Sequence, residues 1–214
     1  MLDFLFTSPI IFFTWIAALL FAITIHEFSH AWTADRLGDP TPRLQGRITL
    51  NPIAHLDPLG TFMLIFFRFG WGKPVQFDPF NLKNPRRDAA VISLAGPAAN
   101  LVAATALSLI LRTMGAALPL IVTETFIPTF IILNVLLAIF NLIPIHPLDG
   151  GKILVGLLPA KDAHELDGFL HKYGIFILFL LIFPFAGTSP ISSFLSPVMS
   201  FFLKILLPAS ATLV

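Results

Sequence analysis

A chain of 214 residues with 56% hydrophobic and only 12% charged residues cannot clothe a water-facing surface, since soluble domains carry roughly a quarter charged residues. A mean hydropathy of +0.87 and 23 Phe make lipid the natural solvent. The net charge of +1 gives no electrostatic case for nucleic acid, and the absence of cysteine excludes disulfides, thiolate ligands and thiol nucleophiles. Any metal site must use His and carboxylates.

The N-terminal apolar run lacks a basic leader, carrying Asp3 instead, and no small-residue cleavage site follows it. It reads as a retained first helix from about Pro9 to Ala34, stopped at Gly38-Asp39-Pro40. Leu44, Gly46, Ile48 and Leu50 then alternate with Arg43, Gln45, Arg47 and Thr49, which predicts a strand over 43–50. Residues 59–69 are apolar but too short to span, so an interfacial or re-entrant piece is expected there. A weaker alternation around Val75 and Phe77 predicts a second strand over 73–80.

A second span covers about Asp88 to Arg112 and is rich in Ala, Ser and Gly, which favours close helix approach in a membrane. A third runs from about Thr125 to Ile145, and a fourth from about Phe169 to Phe185, after a polar stretch over 159–168. The last apolar stretch, 191–208, carries Ser192, Ser196, Ser200 and Lys204 at steps of four. That stripe fits either a packing face of a spanning helix or the wet face of an interfacial one. The fold class expected is an all-α polytopic membrane protein with about 4–6 membrane helices and a small β element on the cytoplasmic side. One integral-membrane domain is expected over 1–214, with a core at 9–158 and C-terminal membrane segments at 169–208.

Charge placement sets the expected orientation. Arg36, Arg43, Arg47, Arg68, Lys73, Lys83, Arg86 and Arg87 lie between the first two spans, and no basic residue precedes the first. The N-terminus is therefore expected outside a cell (plasma or inner) membrane. The first and third spans then both run inward and end, toward the cytoplasmic side, in their most polar motifs.

The first of these motifs is His26-Glu27-Phe28-Ser29-His30. Residues four apart share a helix face, so both imidazoles can reach one cation, with Glu27 turned beside it to take a proton from bound water. Ionisable groups at lipid depth are costly unless they pair or bind metal. A catalytic zinc usually has three protein ligands and one open position. The best third candidate is Asp149, which ends the third span in Asn141-Leu142-Ile143-Pro144-Ile145-His146-Pro147-Leu148-Asp149-Gly150-Gly151. Two prolines break the helix there and two glycines free the backbone after the carboxylate. His55 reads as part of a turn near the membrane surface, His164 lacks a second His at the required step, and His171 opens a span at the interface; none is expected to bind.

H-E-F-S-H on a membrane helix, with N-x-x-P-x-x-P-L-D-G downstream and Gly96-Pro97-Ala98-Ala99-Asn100 between them, resembles the site-2 protease family of intramembrane metalloproteases. The resemblance covers about residues 10–158. It implies one zinc per chain on His26, His30 and Asp149, Glu27 as general base, and Asn141 near the active site as a candidate for holding substrate backbone. His146 stands where the family pattern favours a proline or an apolar residue. It reads as a residue supporting a metal ligand by a hydrogen bond, a pH-sensitive neighbour, or a plain packing or hydrogen-bonding residue.

The expected reaction is hydrolysis of peptide bonds in or near transmembrane segments of membrane proteins, with the bilayer and a membrane-protein substrate carrying a transmembrane segment as partners. Asn100 and Asn141 are candidates to stabilise the oxyanion or bind substrate backbone, and an interhelical hydrogen bond is the alternative for Asn100. An exposed edge at 43–50 would offer the unwound substrate a strand to pair with. The rival reading is a non-hydrolytic membrane metal-binding or transport protein, against which the clustering of polar groups at one depth argues.

Overall fold

The computed structural model describes residues 6–67, 70–184 and 187–208. Asp3, Arg68, Phe69 and Phe185, on which parts of the reading above rest, lie outside the described residues. The chain forms α1 (Pro9–Arg36), the single turn α2 (Thr41–Leu44), α3 (Pro58–Phe67), α4 (Pro85–Met114), α5 (Ile127–Asn141), α6 (Asp149–Leu157), α7 (Ala160–Ile182) and α8 (Pro190–Leu206).

Helices α1, α4 and α5 pack against one another, α6 lies along α4, and α8 closes against α5. A stripe at steps of four down α1 explains how the three can approach so closely. Ala18, Ala22, His26, His30 and Ala34 are all buried, and the three alanines in effect present bare backbone to the neighbouring helices. The two histidines thus sit inside the helix–helix seam. On the far side, Ile131, Val135 and Ile139 of α5 and Ala104 and Leu111 of α4 form an apolar core with Leu206. Arg112 Nη2 donates to the Ile205 carbonyl at 2.6 Å, satisfying a carbonyl at the end of α8.

Three helical stretches among the described residues are long and apolar enough to cross a membrane: Pro9–Arg36, Pro85–Ala117 and Val122–Asn141. Only 28%, 33% and 44% of their most apolar windows are buried inside the protein, so most of each faces outward and needs lipid. Phe13 of α1 and Val102 of α4, 61% and 69% exposed, stand on those outer faces. The expected fourth span falls in the second half of α7, which already begins at Ala160, and α8 is apolar but shorter, at 17 residues. The all-helical membrane architecture matches the sequence reading.

The β element expected at 43–50 and 73–80 is not present among the described residues. Pro42 in the first turn of α2 and Gly46, at a φ of +67°, turn 41–46 into a helical turn with a left-handed stop. An isolated antiparallel bridge joins Leu56 to Gly72. Residues 73–78 pair with no strand: carboxylates take the amides of Val75 and Asp78, and Lys73 N donates to the His55 carbonyl at 2.8 Å. Val75 N donates to Glu27 Oε2 at 3.0 Å and Asp78 N to Asp39 Oδ2 at 2.7 Å. Alternation over so short a run carried the strand reading, and side-chain acceptors from α1 and from the turn that follows it override it.

Asp39 is the anchor of this region. Gly38, at a φ of +110°, lets the chain reverse after α1, and Asp39 N returns to the Ala34 carbonyl at 3.0 Å. The fully buried Asp39 carboxylate then accepts from Thr41 N, Thr41 Oγ1, Asn81 Nδ2 and Asp78 N. Burial opposes ionisation, but these hydrogen bonds, led by Thr41 and Asn81, hold the carboxyl below its ordinary value of 3.8. A carboxyl depressed in the folded state stabilises the protein above its unfolded value, and that stability is lost as pH falls through the folded value. Asp39→Ala should therefore cost about 3 kcal/mol near neutral pH. The deficit should shrink below pH 4 in denaturant titrations of the detergent-solubilised protein.

Candidate metal centre

Tertiary packing brings His26 and His30 of α1 together with Asp149, the first residue of α6, although 119 or more positions separate them in the chain. Asp149 Oδ2 lies 3.1 Å from His26 Nε2 and 3.2 Å from His30 Nε2. Both imidazoles are buried, and the ligand-capable atoms of all three residues lie within 4.8 Å of one another. Asp149 reaches this point because Ile143–Leu148 runs as a tight non-helical connection, with Leu148 N on the Ile145 carbonyl at 2.9 Å. A Cβ on Gly150 would strike the carbonyls of Leu142 and Ile143, so the turn into α6 requires glycine there.

The other imidazole nitrogens fix the tautomers. His30 Nδ1–H donates to the Ile92 carbonyl at 2.7 Å, a partner that can only accept. His26 Nδ1–H donates to Asn100 Oδ1 at 2.7 Å. The Asn100 amide group points the other way, donating to the Ala22 carbonyl at 3.0 Å and Asn134 Oδ1 at 2.8 Å. Asn134 is oriented in turn by donating to the Phe130 carbonyl at 2.8 Å. Both Nε2 atoms are thereby left as lone-pair donors aimed at a carboxylate oxygen. Three electron-rich atoms converge, an arrangement that repels itself unless they share a cation. Their spacing also suits one: donors held at about 2.0 Å in a tetrahedral zinc site stand roughly 3.3 Å apart.

Helix α4 builds the back wall. A Cβ on Gly96 would come within 2.6 Å of His30 Cε1 and 2.8 Å of His26 Cε1, and closer still to His30 Nε2. Gly96 therefore makes room for the imidazoles, while Asn100 one turn later orients one of them. Glu27 and Asn141 share with the triad a cavity of about 630 Å³, lined largely by apolar residues such as Leu19, Ile23 and Leu64. Asn141 Nδ2 donates to the Leu137 carbonyl at 3.0 Å. His146 faces away from the triad, toward Asp167 of α7, at 3.0 Å. His55, expected in a surface turn, ends the 3₁₀ turn Pro52–His55 fully buried, with Nε2 donating to the Thr49 carbonyl at 2.8 Å.

A model of peptidase family M50 matches residues 14–119 and 115–185. The chain is 37% identical over 174 residues, 78% of each protein, to "Putative zinc metalloprotease YwhC" of Bacillus subtilis. It is 33% identical over 180 residues, 81% of this chain and 68% of the relative, to "Putative zinc metalloprotease Rip2" of Mycolicibacterium smegmatis. The chain belongs to peptidase family M50. It is an intramembrane zinc metalloprotease, as the site-2 protease resemblance implied, and zinc is its metal. These likenesses do not favour the metal-transport alternative. No solved structure gives a significant match.

Sequence reasoning missed two residues that support this candidate centre. Asn134 lies in an unpunctuated apolar run, and nothing in that run marks it as the partner of Asn100. Arg47 belongs to the polar half of the alternation over 43–50, yet it is 3% exposed. Its Nη2 donates to the Lys73 carbonyl and stands 3.8 Å from Glu27 Oε2. The guanidinium and the Val75 amide together pin the Glu27 carboxylate at the cavity wall. Arg47→Met should lower kcat about 10- to 100-fold with zinc content unchanged, measured by substrate cleavage alongside elemental analysis.

Proposed function

We propose that His26, His30 and Asp149 hold the catalytic zinc and that Glu27 is the general base for hydrolysis of peptide bonds in or near transmembrane segments. The convergence of two tautomer-locked imidazoles with one carboxylate oxygen carries this reading. Zinc bound there supplies Lewis acidity, making water nucleophilic near neutral pH and polarising the scissile carbonyl.

The chain's own residues do the rest. Glu27, held by Val75 N and Arg47, takes the proton shed by the attacking water and delivers it to the amide nitrogen as the C–N bond breaks. Asn100 serves the site by orienting His26, since its oxygen and both directions of its amide group are committed to His26, Ala22 and Asn134. Asn141, on the cavity wall, is assigned to substrate backbone: its oxygen and second amide hydrogen are the groups that would bind. The largely apolar lining lowers the local dielectric, which strengthens each electrostatic contact.

The reading places the catalytic core at 9–158, with the N-terminus outside the cell membrane and the metal centre toward the cytoplasmic end of α1. The basic residues between α1 and α4 support this orientation. Incubating the purified protein in liposomes with a panel of single-span membrane proteins, with and without chelator, tests the substrate class. Chelator-sensitive cuts mapping within or beside the transmembrane segment are expected. Cuts confined to soluble loops would overturn the assignment.

A further inference from the structure

A second constellation of the same ligand types lies outside the catalytic centre. His146, from the connection leading into Asp149, meets Asp167 and His171 of α7, and the ligand-capable atoms of the three lie within 4.8 Å of one another. Asp167 Oδ1 stands 3.0 Å from His146 Nε2 and 3.3 Å from His171 Nδ1. At the catalytic centre, Asp149 Oδ2 stands 3.1 and 3.2 Å from its two imidazoles. In both places one carboxylate oxygen bridges two imidazole nitrogens at the edge length of a small tetrahedral site.

We infer that His146, Asp167 and His171 form a second divalent-cation site of the zinc class. Imidazole and carboxylate together select zinc and its d-block neighbours over calcium and magnesium, which want oxygen alone. His146 is 6% exposed, and burial pushes its imidazole below the ordinary value of 6.5 against the pull of Asp167. Its Nε2 supplies a lone pair once a cation replaces the proton shared with Asp167. Its seat is closely built. A Cβ on Gly151 would lie 2.6 Å from His146 Nδ1, and one on Gly174 would collide with the His146 carbonyl, so α6 and α7 both close on this side chain through glycine.

The other two ligands are accessible. Asp167 and His171 sit four apart on α7, with side chains 44% and 67% exposed, and all three residues line a cavity of about 1160 Å³. His164, on the same face of α7 one turn earlier, lines it too. A cation has to displace one contact, since His171 Nδ1 also lies 2.9 Å from the Asp167 carbonyl. Occupancy would tie α7 to the connection that delivers Asp149, so metal at this site braces the ligand loop of the first.

Metal counting on the full-length protein tests this. The purified protein is stripped by chelator, reloaded with zinc, desalted and analysed for zinc per chain and for affinity against a chromophoric chelator. Two equivalents are expected in the wild type and in Glu27→Gln, and one in each of Asp167→Ala and His171→Ala. The lost equivalent should be at least tenfold weaker in both variants, whose exposed positions spare the fold. One equivalent in the wild type that persists in His171→Ala would overturn the inference, leaving a hydrogen-bonded triad only. Two equivalents in His30→Ala, by contrast, would count against the catalytic centre and leave the second site standing.

Discussion

Replacing Glu27 by Gln should abolish peptide-bond hydrolysis while leaving zinc bound. Glutamine preserves the shape of the side chain, and its oxygen can still accept the Val75 amide hydrogen that Glu27 Oε2 receives at 3.0 Å. It cannot take a proton from water. A positioned general base contributes on the order of 10²–10⁴ to a rate, so turnover should fall by at least that range. His26, His30 and Asp149 are untouched, and zinc content should stay at the wild-type value. A variant that lost zinc and activity together would mean that Glu27 supports the metal centre and does not act as the base.

Gly96→Ala should be nearly as damaging, by a different route. The added Cβ would meet the edges of both imidazoles, at 2.6 Å from His30 Cε1 and 2.8 Å from His26 Cε1. Helix α4 has no room to retreat, because the Ile92 carbonyl one turn earlier holds His30 and Asn100 one turn later holds His26. The rings must therefore rotate away from Asp149 or the helices must part. Zinc affinity should fall roughly 100-fold or more, the upper range for loss of outer-shell support, and cleavage should fall with it. Gly168→Ala is the control. A Cβ there meets nothing within 4 Å, and the helix gains about 1 kcal/mol of intrinsic propensity. Equal zinc affinity in Gly96→Ala and wild type, in the same chelator competition, would show that α4 does not set the ligand geometry.

The proposed ligands are legible in the sequence because their chemistry constrains their spacing. His26 and His30 must be four apart to share a helix face, and a cysteine-free chain leaves few candidates for a third ligand. The Pro- and Gly-rich run around Asp149 marked where an apolar helix must break. Gly96 and Asn100 were visible only through the family resemblance, since a small residue and an amide in an Ala-rich helix have no local signature. Arg47 and Asn134 were not legible at all. Each is defined by a partner in another element, Glu27 and Asn100 respectively, and a single sequence does not record such pairings. The same blindness produced the mistaken strand at 43–50. Alternation assumes that side chains point by turns inward and outward, whereas Arg47 turns in to meet Glu27 and Gly46 ends a helical turn. His146 and His171 resisted reading for a related reason: their common partner Asp167 lies 21 residues from one and four from the other.

The most direct test of the metal centre is the zinc dependence of cleavage in Asp149→Ala. Substrate cutting is followed against buffered free zinc for the variant and the wild type, with helicity checked by circular dichroism. The assignment of Asp149 as third ligand predicts that the variant stays helical and needs at least 100-fold more zinc, or shows no cleavage at any concentration. Cleavage by Asp149→Ala at the wild-type zinc concentration and rate would contradict it.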